Sequence, residues 1–122
     1  MELKGEAKLL RIFLGEADKL GHTALHEVIV RRAREAGLAG ATAWRGVLGY
    51  GRTSRLRTAR ILDLSTDLPI IVEIVDREDR IDEFLPALHD LFETAQCGGL
   101  ITLEKVQIIK YVHGRDRTAV KA

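Results

Sequence analysis

The chain has little of several things, and each shortage excludes something. Among its 122 residues is one cysteine, Cys97, so neither an internal disulfide nor a multi-cysteine metal site can form. It has two prolines, Pro69 and Pro86, and no linker-like tract or internal repeat, so residues 1–122 are expected to form a single domain. Aromatic residues are 5% of the chain, and Phe13 is the only one expected in the first or third strand. The stacking platform of an RNA-binding sheet is therefore missing. No apolar run is long enough to span a membrane. Residues 1–14 lack a signal-peptide pattern, so the expected location is the cytoplasm. The net charge of +1 gives no global field toward nucleic acid or a membrane surface. No motif pairs a nucleophile with a base or sets two carboxylates in a cleft, so the chain reads as a non-enzyme.

What is present is a core's worth of apolar residues, 46%, and an uneven placement of charge. From Ala36 to Leu62 there is no acid, against five arginines: Arg45, Arg52, Arg55, Arg57 and Arg60. From Glu73 to Glu83 there are six acids and two arginines. The acids at 76–83 are expected around a helix N-terminus, solvated and favourable to its dipole.

Apolar periodicity gives six elements. Lys4–Leu14 alternates with period two and predicts a strand. Thr23 is a candidate cap for a helix to about Ala36, with Leu25, Val28, Ile29 and Ala33 on one face and Gly37 after the last turn. Ala41–Tyr50 predicts a second strand, with a bulge at Gly46 or Gly49. Leu68–Val75 predicts a third strand. A second helix is expected from Arg77 to Ala95, buried through Ile81, Leu85, Leu88, Leu91 and Phe92, with Pro86 bending it or delaying its start. Leu100–Val112 predicts a fourth strand whose apolar phase slips near Glu104 and Lys105, suggesting another bulge. The order strand, helix, strand, strand, helix, strand predicts an α+β, ferredoxin-like βαββαβ fold. Two helices would cover one face of a four-stranded antiparallel sheet. The other face is left without cover from the chain, yet offers Leu9, Phe13, Ile71 and Val75. A face so poorly alternated predicts an obligate homo-oligomer.

Two segments call for a function. Residues 51–67 join strands two and three by a long, basic, weakly apolar loop. Such loops are functional or disordered more often than structural. A loop ordering on a polyanion or a partner and a solvated excursion are both open readings. The turn Gln96-Cys97-Gly98-Gly99 can expose successive N–H groups to an anion, or can be a plain helix C-cap.

These residues also carry a resemblance. Gly49-Tyr50-Gly51-Arg52, followed by a long loop, resembles the Gly-Phe-Gly-Arg that opens the T-loop of PII signalling proteins. Leu68-Pro69-Ile70-Ile71-Val72-Glu73-Ile74-Val75 resembles their third strand, and Thr94-Ala95-Gln96-Cys97-Gly98-Gly99 resembles the entry to their B-loop. Trp44-Arg45-Gly46-Val47-Leu48-Gly49-Tyr50-Gly51, taken with Gly98-Gly99-Leu100-Ile101-Thr102, is closer still to the uncharacterised PII-like family called domain of unknown function 190. The resemblance implies a homotrimer with inward-facing sheets, adenine nucleotides bound in clefts between subunits, and a loop that docks on a protein partner such as a membrane transporter. Gly49, Tyr50, Gly51 and Arg52 match the T-loop base. Gly98 and Gly99 match the turn that passes the phosphates. Lys110 falls where PII proteins carry a phosphate-contacting arginine. Arg55, Arg57 and Arg60 would face the partner.

This sequence departs from the PII pattern in several places. The Gly-Asp-Gly-Lys end of the B-loop is missing, Thr53 replaces a glutamine, Val112 replaces a basic residue, and residues 51–67 hold no tyrosine. With fewer phosphate donors, ADP, AMP or a cyclic nucleotide fits better than ATP. No cofactor is required by this reading. The alternatives are a ligand-free trimeric interaction module and, less favoured, phosphate-backbone binding to nucleic acid through the arginines. His22 and His26 share a helical spacing but lack a third ligand. Cys97 reads as a small packed thiol.

Overall fold

The computed structural model describes residues 4–59 and 67–114. The main elements are β1 (Gly5–Gly15), α1 (Leu25–Glu35), β2 (Ala41–Arg45), β3 (Pro69–Asp76), α2 (Glu78–Ala95) and β4 (Leu100–Ile108). The four strands form one antiparallel sheet in the order β2-β3-β1-β4. The expected ferredoxin-like architecture is present, with β1 in the interior of the sheet, paired with β3 on one side and β4 on the other.

Period two explains the strands. Leu10, Ile12 and Leu14 of β1 and Ile70, Val72 and Ile74 of β3 point to the helix side. There they meet Leu25, Ile29 and Ala33 of α1 and Ile81, Phe84, Leu88 and Leu91 of α2. Phe84 is a core residue that the expected stripe omitted; Leu85 and Phe92 only pack against its edge. No helix among the described residues is long and apolar enough to cross a membrane.

Several expectations need correction. The first helix has Ala24 as its N-cap with no side-chain cap bond. Thr23 instead pairs with Leu20 in a two-residue hairpin, and the Leu25 N–H donates to Asp18 O at 2.8 Å. A backbone carbonyl thus does the work expected of a hydroxyl. The second helix begins at Glu78 and runs through Pro86. That proline is exposed, so water can satisfy the carbonyl its ring leaves without a donor. The second strand stops at Arg45, where Gly46 gives its N–H to Pro69 O at 2.7 Å before the chain leaves the sheet. The fourth strand stops at Ile108, and its register against β1 runs unbroken from Leu100 to Ile108, with no bulge at Glu104.

Asp76 is fully buried rather than solvated. It accepts from the Ala39 N–H at 2.9 Å and the Arg77 N–H at 2.7 Å, and pairs with Arg80 at 3.2 Å. Arg80 also donates to Gly37 O. Asp76 therefore fastens the α1–β2 connection to the start of α2.

The second sheet face carries Leu9, Phe13, Ile71 and Val75, all half-buried, around a charged centre. There Arg11 meets Glu73 at 2.8 Å and Glu104 at 3.1 Å. The charge-assisted bond that Arg11 donates to Glu73 holds the guanidinium pKa above its ordinary value. This face is not wholly bare. After β4 the chain arches across one end, and the Tyr111 hydroxyl donates to Ala39 O at 2.6 Å on the opposite edge of the sheet. The hollow beneath is about 1090 Å³, walled by Leu9, Trp44, Val75, Ile108 and Tyr111 among others.

Candidate functional site

The site is built at the end of the sheet where β1 finishes and β3 starts. β1 exits into a tight turn: Asp18 N donates to Gly15 O at 3.2 Å, and the Asp18 carboxylate takes the Gly15 N–H at 2.9 Å. On one side of this turn stands the stem of the 51–67 loop. It is an ordered hairpin pairing Leu48 with Thr58 and Gly49 with Arg57, closed by Ala59 N to Val47 O at 2.9 Å. Ser54, at φ 60, gives its N–H to Gly51 O at 2.9 Å and reverses the chain.

Gly49 packs closely on a proline. A Cβ there would lie 3.0 Å from Pro69 Cγ, so a side chain would push the stem and that ring apart by a few tenths of an ångström. Gly51 has open space around it, and Tyr50, Arg52 and Arg55 are exposed. Arg57 is committed elsewhere: its guanidinium is half-buried, donates to Asp67 O at 3.3 Å and pairs with the Asp67 carboxylate. Arg60 lies outside the described residues.

On the other side of the β1 turn is the glycine turn. Gln96 caps α2 in the left-handed region at φ 54, and Cys97 N donates to Phe92 O at 3.3 Å. The two glycines differ in kind. A Cβ on Gly99 would come within 2.7 Å of the Phe92 ring and 2.9 Å of Phe13 O, whereas one on Gly98 would meet nothing within 4 Å. Gly99 is bare so that β4 can start against β1; Gly98 is open to solvent. Burial, and secondarily the Asp18 carboxylate, push the Cys97 thiol pKa up, consistent with a packed thiol that stays protonated.

Gly49–Arg52 and Gly98–Gly99 thus flank the same turn at the same end of the sheet. Lys110 does not join them within the chain. It follows β4, whose first residue pairs with Phe13 and whose last pairs with Gly5 at the far end. Nine extended residues span about 30 Å. The residues that tie the site together, Asp18 and Asp67, carry no motif. Asp67 could have been suspected only from its place before Leu68-Pro69, where the loop rejoins the sheet. No group of three or more His, Cys, Asp or Glu side chains that could hold a metal ion occurs among the described residues.

This arrangement defines a class. Solved PII-like proteins share the fold: one from Thiomonas intermedia K12, CPII, solved with ADP and bicarbonate, superposes with a TM-score of 0.63 at 21% identity, covering 86% of this chain and 90% of that one. A putative PII-like signaling protein from Thermus thermophilus gives 0.62 at 19% identity, covering 89% and 94%. At these identities the likeness is one of fold. Residues 7–108 match the family model DUF190, described as "Uncharacterized ACR, COG1993", and the chain belongs to that family. Its relatives include a UPF0166 protein of Aquifex aeolicus, 39% identical over 102 residues, with 84% of this chain and 92% of that protein covered. Another is a UPF0166 protein of Methanocaldococcus jannaschii, 33% identical over 105 residues, covering 86% and 94%.

Proposed function

We propose that this PII-like protein is a signal-transduction protein. It binds an adenine nucleotide, or a related small anion, in clefts between the subunits of a homotrimer. It then acts on a protein partner, with a membrane transporter as one candidate, through the 51–67 loop. The observation that carries this reading is the placement of the stem glycines and of Gly98 on either side of one turn, with Arg52 exposed beside them. Bare backbone allows close approach of phosphate oxygens, and a guanidinium forks onto them. Lys110 stands at the other end of its own sheet and would reach such a site only from another copy. The apolar sheet face supplies a surface for that copy. That CPII was solved with ADP, AMP and bicarbonate supports the choice of ligand class.

A second reading, a ligand-free interaction module, is favoured by the stem's exposed Val47, Leu48, Tyr50 and Leu56. Calorimetric titration with ATP, ADP, AMP, cyclic AMP and cyclic-di-AMP separates the two, with assembly checked by light scattering. The expected result is a trimer binding one ligand per subunit at about micromolar strength, roughly −8 kcal/mol. Arg52→Ala should weaken that binding and leave the trimer intact. Equal, millimolar-weak binding of every nucleotide would overturn the sensor reading.

A further inference from the structure

The loop's stem is only two residue pairs deep, too short to hold itself in place. Arg57 fixes it to the domain. Its acceptor, Asp67, is held in turn: the Asp67 Oδ1 takes the Ala17 N–H at 2.9 Å, and Glu16 N donates to Leu68 O at 2.8 Å. Two glycines make room for this stack. A Cβ on Gly15 would sit 2.8 Å from Asp67 Oδ1, just as one on Gly49 would press on Pro69. Asp67 and Pro69 therefore lie between the β1 turn on one side and the stem on the other, and Arg57 crosses the seam. Arg57 also stands directly opposite Gly49 in the hairpin, beside the backbone offered to an anion in the proposed function.

We propose that Arg57 and Asp67 form a latch on the loop, and that a nucleoside phosphate releases it by competing for Arg57. A guanidinium recognises carboxylate and phosphate oxygens by the same planar fork, so one side chain can serve either acceptor. Without ligand, Arg57 binds Asp67 and the stem is docked on Pro69. With a phosphate against Gly49–Arg52, Arg57 turns to it, Asp67 loses that counter-charge, and the stem is freed. Ligand affinity and stem docking are then reciprocally coupled. This rests on the proposed nucleotide site, but its first half does not need a ligand.

The test uses Asp67→Asn, which keeps an acceptor for Ala17 and removes the charge facing Arg57. The first readout is hydrogen exchange at the Ala59 N–H of the ligand-free protein. We expect it about tenfold faster in the variant, as for a local opening that has lost its tether. Arg57→Gln, which removes the guanidinium charge, should do the same. It carries the test if Asp67→Asn does not fold. Unchanged exchange in the folded variants overturns the latch, whatever the protein binds. The second readout is ADP affinity. Asp67→Asn should bind about threefold to tenfold tighter, because the competitor for Arg57 is gone, and Arg57→Gln should bind more weakly. Equal affinities, or no ADP binding by any variant, overturn release by a nucleoside phosphate even where fast exchange shows the latch.

Discussion

Two adjacent glycines with different duties give the sharpest prediction. Gly99→Ala places a methyl group 2.9 Å from the Phe13 carbonyl oxygen and 2.7 Å from the Phe92 ring. The ring can turn, but the carbonyl cannot, because Phe13 pairs with both Leu100 and Ile71. The start of β4 must move by several tenths of an ångström, an overpacking cost of about 1–3 kcal/mol. For a domain of this size that corresponds to a fall in melting temperature of roughly 3–15 °C. Gly98→Ala meets nothing within 4 Å and has no left-handed backbone to strain. Its stability should stay within about 0.5 kcal/mol of the parent. The assay is thermal unfolding by circular dichroism at one protein concentration, since the proposed trimer would melt in a concentration-dependent way. ADP titration of both variants then asks whether Gly98→Ala binds more weakly at unchanged stability. A Gly99→Ala protein as stable as the parent would refute the packing argument, and an equally destabilised Gly98→Ala would show that the two positions are not distinct.

Asp76→Ala removes the acceptor shared by the Ala39 and Arg77 N–H groups inside the structure, and urea unfolding should show a loss of about 3 kcal/mol. For Cys97 the raised pKa favours the neutral thiol in the folded state. The stability this contributes is present below the ordinary thiol pKa and lost as pH rises through the folded value. Alkylation by a thiolate-selective reagent should therefore reach half its maximal rate above the pH for free cysteine, and Asp18→Asn should move that midpoint down; a midpoint below free cysteine would contradict the burial.

β1 and β3 were legible because their helix-facing residues recur at every second position, Leu10-Ile12-Leu14 and Ile70-Val72-Ile74, although apolar residues also stand on the other face. Phe84 was missed because Leu85 fits the same stripe, one position on. The ends of β2 and β4 were not legible, since strand length depends on a neighbour. Ile109–Val112 is apolar enough to extend β4, but the pairing partner runs out at Gly5, whose φ is +88. Beyond that point the chain is free to arch over the sheet to Ala39. At the site, the glycines and the arginines stood out by type. What they do was set by Pro69 and Asp67, residues 20 and 10 positions away from Gly49 and Arg57, and no local pattern announces such a contact.

The strand order has a consequence for the protein's synthesis. β1, with Leu10, Ile12 and Leu14, leaves the ribosome before both of its partners, residues 69–76 and 100–108. Until residues 69–76 emerge it has no strand to pair with. α1 alone can shelter it, through Leu25 and Ile29. Contacts of such long sequence separation form slowly, and a bare strand awaiting them is open to pairing with its copy on a neighbouring nascent chain. The same topology that places β1 at the heart of the finished sheet makes it the segment most in need of a chaperone before the sheet exists.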